Sequence, residues 1–446
     1  MAGSLALLII GGYGIFGGRI VELLDNEPRL VLQVAGRSHA KAKVFCNMRT
    51  QARARLVPTA FDRSGDLTSQ LATLKPDLVV DASGPFQAYG AERYRVIEAC
   101  IALKIGYLDL ADGSDFVNGV KAFDAPARDA GVPVLSGVSS FPVLTAAVVR
   151  HLSSDMAQVQ SIRGGIAPSP FAGVGVNVIR AISAYAGQRI ALRRNGRDTV
   201  GYPFTEQMRF TIAPPGRLPL HNTLFSLVDV PDLRALAELW PEAKTIWMGA
   251  GPVPEFLHRG LVALSWLVRK GMLPSLLPIA RVTHFVSNKV VWGEHRGGMF
   301  VEVEGTAADG SSRKRSWHLL AEGDDGPLIP SMAVEAIVRK WLDGNPPSAG
   351  ARAATRDIEI EDYERLFATR TIYTGVRDES QPKPLIYPEL LGEAWANVPK
   401  SIRAMHEGAT LARGQAVVER GGNPLGRLER DEFAPTREGL PEKGEK

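Results

Sequence analysis

Residues 5–24 read LALLIIGGYGIFGGRIVELL: an apolar run, a turn with five glycines between Gly11 and Gly18, then a helix-patterned stretch. Gly12-Tyr13-Gly14-Ile15-Phe16-Gly17 is a G-x-G-x-x-G spacing. Its position between a predicted strand and a predicted helix is what makes the match informative. The first glycine of such a turn permits a tight bend, the second lets backbone approach a pyrophosphate, and the third lets helix and strand pack closely. The helix that opens there aims unsatisfied N–H groups and its positive dipole end at phosphate oxygens. The continuation Gly17-Gly18-Arg19 lacks the G-K-[ST] ending of a P-loop, so a mononucleotide site of that type is excluded.

The choice of dinucleotide is made where the second strand ends. An NAD site places an Asp or Glu about 20 residues beyond the motif to hold the ribose 2′-hydroxyl. Here that position is Arg37, within AGRSHAKAK, and no acid occurs between Val31 and Lys43. A guanidinium can take a 2′-phosphate in bidentate fashion and lie flat against adenine, with Ser38 as a second donor. NADP(H) is therefore the expected cofactor. Lys41 adds charge nearby but suits a solvated helix face.

The rest of the first third keeps one rhythm. LVLQVAG (30–36), RLVPTAF (55–61), DLVVDASG (77–84), YLDLAD (107–112) and VPVLSG (132–137) read as further strands, separated by helix-compatible stretches. Near-continuous Val/Ile/Leu runs mean strands buried on both faces, and regular alternation with helices means a doubly wound parallel sheet. The expected fold class is α/β, with an N-terminal Rossmann domain over residues 1–145. Residues 146–325 change character. MFVEVEGTAADGSSRKRSWHLLAEG (299–323) carries two strand-like runs around an Asp-Gly turn, and VVWGEH (290–295) is a candidate additional strand. A second α+β domain carrying an antiparallel sheet follows from this. GPLIPSMAVEAIVRKWLDG (326–344) reads as a helix with Pro330 near its start and Gly344 past its end. It opens a segment 326–375, in which NPPSAGARAA (345–354) reads as loop. Residues 376–446 turn polar and read as an appended C-terminal segment.

Composition narrows the function classes. With 446 residues, 45% of them hydrophobic and 22% charged, the chain can bury a sizeable core in roughly two to three domains. A net charge of +4 without a basic run interleaved with aromatics argues against a nucleic-acid partner. Two cysteines, Cys46 and Cys100, make no disulfide framework, and a cytoplasmic location is expected. The apolar start lacks a basic n-region and reads as structure rather than a signal peptide. No apolar run reaches the roughly 18 residues of a spanning helix. The nearest, FLHRGLVALSWLVRKGMLPSLLPIARVTHFV (256–286), is broken by charges and prolines. It reads either as a packed helix pair or as a surface that touches lipid or an apolar substrate.

Ligands of an open α/β sheet sit beyond the carboxyl ends of its strands. That places Asp62, after the third strand, at the adenine edge, and the Ser83-Gly84-Pro85 turn, after the fourth, beside the nicotinamide ribose. Ile15 and Phe16 complete the phosphate turn. Loops 109–116 and 136–142 leave the fifth and sixth strands and bring Asp109, Asp112 and Ser139. Hydride delivery to C=N, C=O or C=C needs a proton donor near the acceptor, and these three are the catalytic candidates, although each position also suits turn capping. His221, His295 and His318 are further acids that also suit structural roles. GVSSF misses the G-x-S-x-G elbow of serine hydrolases. No H-E-x-x-H or C-x-x-C occurs, so no metal site is read.

VVDASGPFQAYG, YLDLADGSDFV and GVPVLSGVSSFP, with the glycine motif and AGRS, resemble the saccharopine dehydrogenase-like oxidoreductases. GGMFVEVEG and GDDGPLIPSMAVEAI resemble that family's second domain and returning helix, so the likeness spans roughly residues 5 to 370. It implies a Rossmann domain, a substrate domain with an antiparallel sheet, and a late segment packing back on the first domain. It also assigns coenzyme contacts to Gly12, Gly14, Gly17, Arg37, Ser38 and the Ser83-Gly84-Pro85 turn. LIYPELLGEAWANVPKSIRAMHE with GQAVVERGGNPLGRL is similar to the start of a domain of unknown function often appended to these reductases. The family leaves the small-molecule substrate open. True saccharopine enzymes need cations for several carboxylates, and Arg150, Arg163, Arg180 and Arg296 are available, whereas the apolar 256–286 stretch leans towards a hydrophobic substrate. The rival expectation is a non-catalytic NADP-binding sensor or membrane-associated scaffold.

Overall fold

The computed structural model describes residues 4–173, 175–252, 254–380 and 386–406. Strands and helices alternate from the start: β1 (Leu5–Ile10), α1 (Ile15–Leu24), β2 (Leu30–Gly36), α2 (His39–Asn47), β3 (Arg55–Ala60), α3 (Leu67–Leu74) and β4 (Leu78–Asp81). The series continues with α4 (Arg95–Ala102), β5 (Gly106–Asp109), α5 (Ser114–Gly119), α6 (Asp124–Ala130), β6 (Pro133–Ser136) and α7 (Thr145–Leu152). The strands are the Val/Ile/Leu runs, and Leu7, Leu8, Ile9, Leu32, Val79 and Val80 are fully buried because helices cover both faces. All pairings are parallel and the order is β6-β5-β4-β1-β2-β3. The strand order reverses between β1 and β4, which is where such a sheet opens a crevice at its carboxyl edge.

The middle of the chain builds a second sheet. It adds β7 (Met156–Ala167), α8 (Val176–Tyr185), the hairpin β8 (Ile190–Arg194) and β9 (Arg197–Gly201), β10 (Gln207–Ile212), β11 (Leu220–Leu227), α9 (Asp232–Leu239) and β12 (Thr245–Ala250). Then come α10 (Glu255–Arg269), α11 (Ala280–Lys289), β13 (Arg296–Ala307) and β14 (Ser312–Glu322). This sheet is not purely antiparallel as expected: β12 pairs with β7 in parallel, while the other ladders are antiparallel. A parallel neighbour needs a long crossover, and the 77 residues between Ala167 and Thr245 provide one. Residues 290–295 are not a strand. Gly293 at φ 130° breaks the extended run, and the ladder with β14 begins at Arg296.

The late segment ties the two sheets together more tightly than the sequence suggests. It contains α12 (Ile329–Leu342), β15 (Gly350–Ala353), α13 (Ile360–Phe367) and β16 (Ile372–Asp378). The expected loop 345–354 holds β15, which pairs in parallel with β6 and becomes the sheet's seventh strand. Its residues Gly-Ala-Arg-Ala carry no apolar alternation, so only the partner strand reveals it. β16 joins β14 at the edge of the second sheet, so the expected boundary at residue 375 cuts a strand. One compact unit runs to Gln381, and a second begins at Pro382. Within the second, α14 (Ile386–Leu391) and α15 (Lys400–His406) are described, and the tail motif 414–428 lies outside the described residues.

Helix α12 packs on α1 and is buried nearly all round, with Met332, Ala333, Val334 and Val338 at zero exposure. A helix apolar on every side belongs inside a core. It shares one cluster with Leu7, Ile9 and Val80 of the first sheet and with Val301, Trp317 and Leu319 of the second. Ile337→Ala should therefore lower unfolding free energy by about 2–5 kcal/mol, measured by urea denaturation. A loss near zero would mean that α12 is not part of this core.

Candidate active site

The crevice begins at the turn after β1. Gly11 takes the left-handed conformation at φ 77°, so the tight bend falls one residue before Gly12, where the motif reading places it. Gly14 caps α1 without any side-chain hydrogen bond, and its N–H donates to the Gly11 carbonyl at 2.8 Å. A Cβ on Gly17 would lie 2.2 Å from that same carbonyl oxygen, so only glycine lets α1 approach this closely. Uncapped N–H groups at the start of α1 consequently face the cavity lined by Gly14, Ile15 and Phe16.

The cavity encloses about 800 Å³ along the carboxyl ends of β1 to β6. At one end Arg37 is exposed and lines it, and α2 starts immediately behind. Ser38 caps α2, accepting from the Lys41 N–H at 3.3 Å, and its own N–H donates to the Tyr13 hydroxyl at 3.1 Å. Tyr13, the second residue of the motif, thus holds the Arg37-Ser38 loop in place. Asp62 also lines the cavity, its carboxylate accepting from the Ser64 N–H at 2.9 Å.

Behind the next wall lies a network that the sequence did not announce. Asp81 ends β4 with zero exposure and must be paired. Arg63 donates to it at 3.2 Å, and Ser83 donates to its other oxygen from both N–H (3.0 Å) and hydroxyl (2.6 Å). The Ser83 and Tyr89 hydroxyls are 2.8 Å apart, and the Arg63 guanidinium lies 3.3 Å from the Tyr89 ring centre. Burial, reinforced by the Asp81 charge, drives the Tyr89 pKa upward, so the phenol stays neutral. Ser83 therefore lines the cavity with its hydroxyl proton already given to Asp81. The Gly84 carbonyl accepts from Asn177 on α8 at 2.9 Å, which joins the Ser83-Gly84-Pro85 turn to the second region. A carboxylate closing the apolar run DLVVD was the available signal for a buried ion pair, but nothing in sequence spacing pointed to Arg63, Tyr89 or Asn177 as its surroundings.

The catalytic candidates separate. Asp112 and Ser139 line the cavity near Leu110, Val178 and Pro330. Asp112 is exposed at the cavity wall, and the protein around its carboxyl group desolvates it. That desolvation raises its carboxyl pKa, against a hydrogen bond from Gln87 at 2.9 Å. Asp109 is not among the cavity's walls. It is fully buried, and one oxygen accepts from Ala111 N–H, Ser136 hydroxyl and Gly137 N–H, each at 2.9 Å. It pins the loops leaving β5 and β6, so turn organisation takes it out of the reacting groups. His221, His295 and His318 do not line the cavity; His318 is buried between the Ala213 N–H and Ser316. Arg150, Arg163, Arg180 and Arg296 are also elsewhere, with Arg150 bound to Glu359 and Arg163 to Glu304. The cavity's cations, Arg37, Arg63 and Arg95, gather with Asp62 and Ser64 at the β2–β3 end.

Residues 7–135 match the family model described as the saccharopine dehydrogenase NADP binding domain. Among solved structures, apo saccharopine dehydrogenase (L-Glu forming) from Saccharomyces cerevisiae aligns with a TM-score of 0.58 and 12% identity, over 84% of this chain and 100% of that one. At that identity the likeness is one of fold. A meso-dapdh mutant from Clostridium tetani E88 (TM-score 0.39, 12% identity, 87% and 99% covered) and biliverdin reductase from Synechocystis sp. PCC 6803 (0.33, 13%, 80% and 94%) are more distant. No curated protein matches the chain.

Burial raises the Asp109 pKa to about 7, whereas an unfolded Asp ionises near 4. The folded state then holds a proton that the unfolded state has lost, so stability should fall as pH rises from about 4 to about 7. Asp109→Asn should flatten that part of the profile. Urea midpoints at pH 4.5 and 7.5 measure it, and an unchanged slope would refute the assignment.

Proposed function

Since residues 7–135 match a saccharopine dehydrogenase NADP binding domain, we propose that this chain is an NADPH-dependent oxidoreductase acting on an imine, carbonyl or enoyl compound in the cavity. The observation that carries the reading is the course of that cavity. It runs from Arg37 past the uncapped start of α1 to Asp112 and Ser139, along the carboxyl edge of a parallel sheet.

Each part then has a role. Arg37, beside the N-terminus of α2, binds the 2′-phosphate, which NADH lacks. The N–H groups opening α1 bind the pyrophosphate, close to Gly12, Gly14, Ile15, Phe16 and Gly17. Asp62 meets the adenosine, and the Ser83-Gly84-Pro85 turn borders the nicotinamide ribose. The bound coenzyme supplies a hydride. Asp112, its pKa raised by desolvation, supplies the balancing proton from its protonated carboxyl, and Ser139 orients the acceptor. Charge distribution narrows the substrate. Among the described residues, no arginine or lysine lines the stretch around Leu110, Asp112, Ser139, Val178 and Pro330. A neutral or protonated-imine acceptor suits these walls, while a polycarboxylate finds no counter-charge.

Arg37→Ala should weaken NADPH binding by about 10–100-fold, the worth of a charge-assisted bidentate contact, and leave NADH binding nearly unchanged. Calorimetry with both coenzymes tests this, and equal losses would defeat the 2′-phosphate assignment. NADPH oxidation is to be followed with a panel of cyclic imines, aldehydes, ketones and enoyl thioesters. For the member that turns over, Asp112→Asn should lower kcat by roughly a hundredfold or more with NADPH affinity retained. It should also abolish the decline in rate as pH rises through the Asp112 pKa. Unchanged kcat would move the proton donor elsewhere; tight NADPH binding without turnover across the panel would favour a sensor.

A further inference from the structure

We propose that the segment from α10 to Trp292, just beyond α11, docks this chain onto the surface of an anionic phospholipid bilayer. No described helix is long and apolar enough to cross a membrane, but this segment has the composition of one that lies on a surface. On α10 the core side is formed by buried His258, Ser265 and Val268. The opposite side presents Phe256, Gly260, Ala263, Trp266 and Lys270 to solvent at helical spacing. On α11, Val282 and Phe285 are each 63% exposed, one turn apart. Trp292, just beyond α11, is 72% exposed, and its ring lies 6.5 Å from that of Phe256. That contact brings the end of the segment beside its beginning. A solvent-facing set of large apolar groups is rare on a protein that leaves it uncovered.

Charge selects the occupant. From residue 255 to 292 the chain has five cations, Arg259, Arg269, Lys270, Arg281 and Lys289, and one acid, Glu255. All five cations are exposed. Among the described residues only Arg259 is ion-paired, and its partner Glu255 is shared with Arg209. Arg269 donates to the Thr205 hydroxyl and lies over the Tyr202 and Trp266 rings, while aromatic and aliphatic groups flanked by lysine and arginine without an acidic partner match the boundary between acyl chains and anionic headgroups. Trp266 and Trp292 suit that boundary, where an amphipathic ring has one apolar and one wet side. A second copy would set five cations against five across a twofold axis, and lysine is depleted from protein interfaces.

Docking on lipid does not depend on hydride transfer, and the assay separates the two. The full chain is sedimented with vesicles of phosphatidylcholine alone and with vesicles containing about 30% phosphatidylserine. It should partition to the second and not the first, and added salt should release it. Lys270→Ala/Arg281→Ala/Lys289→Ala should reduce partitioning by roughly a hundredfold, about fivefold for each cation. Phe285→Ser/Trp292→Ser should abolish it. Both variants should keep the NADPH affinity of the parent, which shows that they are folded. Three results would overturn the proposal: no sedimentation of the folded parent with anionic vesicles, equal partitioning to both compositions, or a dimer in solution that Phe285→Ser/Trp292→Ser converts to monomer without any lipid binding.

Discussion

Helix α1 stands against the end of β1 with no room for a side chain between them, and most of the candidate site follows from that contact. The Gly11 carbonyl sits where a Cβ of Gly17 would be, and it also receives the Gly14 N–H. The first turn of α1 is thereby held at the carboxyl edge of the sheet with its backbone donors uncovered. A side chain at either glycine position would push the helix away or block the donors. The course of the cavity and the proposed lie of the coenzyme in it both take their orientation from this turn.

A second constraint comes from the far end of the unit. Helix α12 crosses back and fills the space beside α1 with Met332, Val334, Ile337 and Val338. β15 then extends the first sheet and β16 extends the second. A cleft between two sheets needs its walls at a set distance, and a shared core supplies it. The wall opposite the glycine turn is made by Gly175 to Val178 at the start of α8, joined to the Ser83-Gly84-Pro85 turn through Asn177.

The carboxylates along the sheet edge show how burial sorts chemically identical groups. Asp81 is paired with Arg63 and accepts from Ser83; Asp109 is sealed among three donors on one oxygen; Asp112 faces the cavity and accepts from Gln87. The first two hold loops in position. Only the third combines access to the cavity with a raised pKa. The arginines sort in the same way. Arg37 and Arg63 border the crevice, while Arg150 and Arg163 are absorbed in ion pairs on other faces.

Local pattern was sufficient wherever the physics is local. Apolar runs of strand length and the glycine spacing marked the parallel sheet and its first tight turn, and the arginine twenty residues beyond pointed to the proposed NADP(H) selection, because each depends on neighbours in the chain. The hairpin of β13 and β14, with its Asp-Gly turn, was legible for the same reason. What lies between distant segments was decided only by tertiary structure. β15 is a strand because β6 lies beside it, and β12 runs parallel to β7 because a long crossover brings it there. Asp109 is structural and Asp112 accessible although they sit three residues apart. Burial and hydrogen-bond partners, which no spacing encodes, are properties of the folded neighbourhood, and they determine which of two like carboxyls can meet a substrate.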